Sequence, residues 1–274
     1  GLFLAAAITG DPWIMEAAID RAEAVVRVAT SSNTCGETRF NTWPLLIAVT
    51  AWKETGDQRY FDKAKVIMEA VWQEEQDSGG MGYTTHRCGW GNQNNTQALM
   101  SYAVKPVVSF AEAAEARGLG EMLPKYVDFL RRMAIWFSTP VPNGDLIPAN
   151  PNPLVGKPYR TYSYFFCPPG LTCTQQTTTD PMGGDPAQNN MIPDLFFWLA
   201  QREPTGTNPN TGELWGDLAR QIFSDGLNHA AHPDPAAIGF LTNMYPGTET
   251  KALGWPQLFN DRAAVWLSTS RPLP

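Results

Sequence analysis

Cysteine, histidine and charge are all scarce in this chain. Of 274 residues only four are Cys and three are His, and charged residues make up 17%. None of Cys35, Cys88, Cys167 and Cys173 forms a Cys-x-x-Cys pair, and no Cys/His spacing has the pattern of a zinc site. There is no phosphate-cradling Gly-rich loop, no Gly-x-Ser-x-Gly elbow and no His-Glu-x-x-His helix. The longest apolar run, Leu2 to Ile8, is too short to cross a bilayer, so no membrane insertion is expected. Lys and Arg number 20 against 27 Asp and Glu, a net charge of −7 with no basic cluster. Nucleic-acid phosphates and anionic membrane surfaces are therefore poor partners. With hydrophobic residues at 43%, the low charged fraction argues against an intrinsically disordered chain.

Tryptophan, glycine and proline are abundant, at 10, 23 and 23 residues. Excess Trp fits a binding cleft, where an indole face stacks on a ligand, and equally an aromatic core. Residue 1 is Gly and runs straight into Leu2-Phe3-Leu4-Ala5-Ala6-Ala7-Ile8, which reads as the last turns of an apolar helix. We therefore expect 1–274 to be a single domain lacking its N-terminal part, with other domains of a longer polypeptide as partners.

Four Cys allow three pairings. Cys167 and Cys173 flank Pro168-Pro169-Gly170-Leu171-Thr172 and would staple one loop; Cys35 would then join Cys88. Seven Lys against 13 Arg, with many loop Asn, Gln and Thr, are compatible with export. A secreted, periplasmic or cell-surface protein is the expectation; unpaired thiols in a cytosolic protein are the alternative.

Apolar residues recur at helical spacing through most of the chain. Asp11-Pro12 opens a helix over 12–29, an N-cap followed by Pro at the first helical position. Further helices are expected over 41–55, 57–75, 94–116, 119–138, 187–202, 211–228 and about 255–269. No stretch alternates convincingly with period two, so the fold class is all-α.

The helices repeat in pairs. Ala5-Ala6-Ala7-Ile8-Thr9-Gly10-Asp11 matches Ala51-Trp52-Lys53-Glu54-Thr55-Gly56-Asp57, 46 residues later. Gly would close one helix in a left-handed cap and Asp would cap the next. Weaker copies lie at Ala114 to Glu121 and Leu199 to Pro204. The first helix of each pair is mostly apolar and the second amphipathic, as an inner and an outer layer would require. That pattern predicts an α/α toroid, an incomplete barrel of helical hairpins with long rim loops. An open α-solenoid has the same pattern, but the long loops favour the ring.

The apolar helix, Thr-Gly-Asp turn and amphipathic helix resemble the unit of carbohydrate-active α/α toroids. These include unsaturated glucuronyl and rhamnogalacturonyl hydrolases and several polysaccharide lyases. The nearest resemblance is to the toroid domain of exo-rhamnogalacturonan-lyase-like proteins, where such a helix precedes a Thr-Gly-Asp-Pro turn like Thr9-Gly10-Asp11-Pro12. It covers 1–138 well and the remainder loosely, and implies fold more strongly than activity. Terpene cyclases and prenyltransferases share the toroid, but an acid Asp-x-Asp-Asp motif and a zinc set are both missing.

In such toroids, the loops entering the inner helices line the cleft. In Cys35 to Pro44, Arg39 could pair with a uronate carboxylate, while Asn41 and Trp43 could hydrogen-bond and stack on a sugar. The plainer reading makes Asn41 or Thr42 an N-cap and Trp43 core. Gly79 to Gln97 holds Tyr83, His86, Arg87, Trp90, Asn94 and Asn95. β-Elimination needs a carboxylate neutraliser, a base for the C5 proton and an acid for the leaving oxygen. His86 could be the base and Tyr83 the acid, with Arg87 or Asn94 neutralising. Alternatively this is a disulfide-anchored structural loop whose amides cap the next helix. The insertion at 139–186 is long enough to expect a function, with Tyr162 in a hairpin lid and Asn189 and Asn190 beyond it. Asp185 is a candidate hydrolase acid, and with Asp180 a weak candidate for Ca²⁺; otherwise no cofactor or metal is expected. His229 and His232 resemble a metal pair only superficially.

The leading expectation is an extracellular carbohydrate-active toroid that cleaves an acidic polysaccharide or oligosaccharide by β-elimination. A glycoside hydrolase using Asp185 and a non-catalytic glycan-binding or scaffold module are the alternatives. An isoprenoid-handling toroid would need an apolar central cavity in place of amides.

Overall fold

A computed structural model of the chain describes residues 1–28, 38–78, 97–119, 123–138 and 191–230. Eight helices are described: α1 (Leu2–Thr9), α2 (Pro12–Val28), α3 (Thr38–Thr55), α4 (Gln58–Ser78), α5 (Gln97–Ala116), α6 (Leu123–Ser138), α7 (Pro193–Arg202) and α8 (Trp215–Ala230). The described residues contain no β-strand, only a single antiparallel bridge between Thr207 and Leu214. None of their helices is long and apolar enough to cross a membrane.

The turn chemistry is as the repeat predicted. Gly10, Gly56 and Gly118 all adopt left-handed backbone, with φ of 67°, 71° and 70°. A Cβ at any of these three would meet no atom within 4 Å, so it is the backbone conformation that favours glycine there. Asp11 Oδ1 accepts the Trp13 N–H and Asp57 Oδ1 accepts the Arg59 N–H, both at 2.9 Å. Thr9 and Thr55 complete each copy: their hydroxyls donate to Ala5 and Ala51 carbonyls and accept the N–H of Asp11 and Asp57. These local bonds stop one helix and start the next within two residues.

The helices pack as hairpins α1/α2, α3/α4, α5/α6 and α7/α8, and the hairpins stack in chain order. Contacts near both ends make α3, α5 and α7 parallel. Towards their N-termini Trp43 meets Tyr102, and Lys105 meets Asp194. At the other end Arg117 lies over the Trp52 ring and Arg202 pairs with Glu115. These helices form an inner layer, and α7 is buried from Pro193 to Ala200. The outer layer is clasped by a repeated device. Glu23 of α2 accepts from Arg59 and Tyr60 of α4, and Glu69 of α4 faces Lys125 and Tyr126 of α6. Glu75, itself buried, takes a two-pronged bond from Arg132 at 2.9 and 2.7 Å. Between the layers Phe110 stacks on Phe61 at 5.8 Å and meets Tyr126 edge-on at 5.1 Å, joining α4, α5 and α6.

Four sequence expectations are corrected. Helix α3 begins at Thr38, so Thr42 is a buried residue inside it and not an N-cap, and Asn41 is likewise internal. Trp43 is not core: 46% of it is exposed. Helices α7 and α8 start later than expected, because Pro193 sets the first and a compact turn holds Asn208 to Glu213 before the second. Finally, α1 is apolar all round yet largely uncovered, with only Phe3 and Ala6 buried.

Candidate functional site

In the sequence α3, α5 and α7 follow residues 29–37, 79–96 and 139–190, and because these helices are parallel their N-termini fall at one rim. At that rim a row of side chains crosses the inner layer. The Trp43 ring stands nearly perpendicular to Tyr102, at 78° with centroids 5.7 Å apart. Tyr102 and Lys105, three apart on α5, share one face of the helix. Lys105 Nζ lies 4.0 Å from Asp194 Oδ2 of α7.

Each member is placed by its helix. Tyr102 is buried, so its ring supports the exposed indole of Trp43. An indole half out of solvent and braced edge-on presents a fixed flat face, which suits stacking on the apolar side of a sugar ring. Asp194 has 0% exposure and sits in the first turn of α7, next to Pro193. A helix N-terminus carries partial positive charge, so it and Lys105 together stabilise this carboxylate in the interior. Prolines punctuate the same level: Pro44 in α3, Pro106 in α5 and Pro193 in α7. Pro106 has no N–H to offer the Tyr102 carbonyl, so the regular helix ladder is interrupted beside the row.

Of the residues expected from the sequence, only Trp43 has a described side chain. Arg39 and Asn41 lie in α3 by their backbone, but their side chains are outside the described set. Tyr83, His86, Arg87, Trp90, Asn94, Asn95, Tyr162, Asp180, Asp185, Asn189 and Asn190 lie outside the described residues. So do the four cysteines and the helix expected over 255–269. Among the described residues no group of three or more His, Cys, Asp or Glu could hold a metal ion.

Tyr102, Lys105 and Asp194 were missed because they sit inside apolar helices that read as core. A signal was present. Lys105 is the lone charge between Gln97 and Ala111, and Asp194 the lone charge between Met191 and Ala200. A single charge in a buried helix needs a partner, and each supplies the other's. No protein-family model, curated protein or solved structure matches this chain.

Proposed function

We propose that this chain is an extracellular carbohydrate-active protein acting on an acidic polysaccharide or oligosaccharide, by β-elimination. Its hairpins would form part of an α/α toroid whose cleft opens at the rim bearing Trp43. The observation that supports this is the exposed Trp43 indole braced by Tyr102; in sequence, the segments preceding α5 and α7 carry Tyr83, His86 and Asp185. In this reading Trp43 is the sugar platform. His86 removes the C5 proton, Tyr83 protonates the leaving oxygen, and Arg87 or Asn94 offsets the uronate charge.

Hydrolysis is the second reading, and Asp194 is the observation that favours it. It is a buried carboxylate at the same rim, and in this reading Asp185 is the hydrolase acid. The discriminating experiment incubates the folded chain with a panel of acidic polysaccharides. It follows the ultraviolet absorbance of unsaturated uronate and the appearance of reducing ends together. Both signals rising is the expected result, and His86→Ala should abolish them. Reducing ends without absorbance would turn the assignment to hydrolysis and Asp185. Binding with neither signal would make the chain a glycan-binding module.

A further inference from the structure

Independently of what the rim binds, we infer that the exposed face of α1 and the start of α2 form a two-fold interface with a second copy of this chain. Leu4 and Ile8 lie one turn apart on α1 and are 64% and 75% exposed. Trp13, at the start of α2, is 76% exposed, and Leu2 is exposed as well. No charged side chain occurs from Gly1 to Gly10. These four side chains leave about 500 Å² of apolar surface in water, the size at which an exposed patch marks an interaction site.

The joints inside the stack show what kind of partner this face takes. There, Glu23 accepts from Arg59 and Tyr60, and Glu69 faces Lys125 and Tyr126. Counted from the capping residues Asp11 and Asp57, the α2 positions of the basic–Tyr pair are held by Trp13 and Ile14. This flank has nothing to grip an acidic side chain, so its complement is apolar. The inner helix at the other end of the described stack does not supply one, because α7 is buried from Pro193 to Ala200. The face does match itself. A net charge of −7 on each copy opposes association where charges meet, and least across an uncharged face. A two-fold pair sets α1 against α1 and buries about 1,000 Å², the floor for a specific interface. Interfaces of that size are transient, and a dissociation constant of about 10–100 µM is expected.

Sedimentation equilibrium of the whole chain, from about 1 to about 500 µM, tests this. The native protein should pass from monomer to dimer and stop there, since an isologous interface is used up in the pair. The double variant Leu4→Glu, Ile8→Glu sets like charges against each other and should raise the dissociation constant at least about tenfold. Trp13→Ala, which adds no charge, should weaken pairing too. Val66→Glu, at an exposed apolar residue of α4, should leave it unchanged. In the dilute monomer the double variant should melt as the native chain does, because these side chains face water there. A native protein that stays monomeric throughout overturns the inference, as does pairing that survives the double variant. Growth beyond the dimer would mean head-to-tail contacts and overturns the two-fold pair. A folded but much less stable double variant in dilute solution would mean that another part of the same chain covers this face, which overturns it equally.

Discussion

At the residue scale, the repeated Glu–basic–Tyr clasp makes a pH prediction. Burial, then the hydrogen bond to Glu23, pushes the Tyr60 phenol up to about 12. A group whose folded pKa lies above its unfolded one stabilises fully below the unfolded value, about 10 for Tyr, and loses that contribution towards the folded one. The Tyr60→Phe variant should therefore be less stable than the native chain near neutrality, by about 1 kcal/mol. The gap should close as pH rises through the window from about 10 to about 12. Thermal melts of both proteins across that range check it, and a gap independent of pH would contradict the clasp. Acid acts in the opposite sense. The guanidinium of Arg202 holds Glu115 below the ordinary carboxylate range, and that of Arg59 does the same for Asp57. Their contributions are present above the unfolded pKa and disappear as pH falls through the lowered values.

At the element scale, the Thr-Gly-Asp joint is the part most legible in the sequence. Thr, Gly and Asp act within two residues of each other, so short-range chemistry suffices to set where α1 and α3 stop and α2 and α4 start. Since Gly56 has open space around its Cα, Gly56→Ala should cost only the left-handed conformation, about 1 kcal/mol, read from the shift in denaturant midpoint. The core behaves differently. Phe110 touches aromatic rings of two other helices, and Phe110→Ala should cost about 3–5 kcal/mol because those rings cannot all close the gap. A cost near that of Gly56→Ala would mean the inner helices repack freely. Element starts were less legible. Asn41 and Thr42 look like cap residues by type, but packing carries α3 upstream of them and buries Thr42.

Across the whole molecule, the first hairpin departs from the second at equivalent positions. Ile8 stands where the second copy has Glu54, and Trp13 where it has Arg59. Ile8 is 75% exposed and Trp13 76%, so the first copy places apolar side chains where the second places charge. The double variant Ile8→Glu, Trp13→Arg should change the stability of this chain by no more than about 0.5 kcal/mol, as exposed substitutions do. A larger cooperative loss in a thermal melt would mean that these side chains are packed in solution.

The sequence alone determined that this protein is helical, that its helices alternate between apolar and amphipathic, and where the first two hairpins turn. Each of those properties follows from residues within one or two turns of each other. Only the tertiary structure decided that α3, α5 and α7 run parallel, that Trp43 stands exposed at their rim, and that Lys105 meets Asp194. Trp43 and Asp194 are about 150 residues apart in the chain, and no local preference of either residue specifies the other. Their place in one row comes from stacking hairpins that must bury their apolar helices against each other. That burial is a property of the assembled layers.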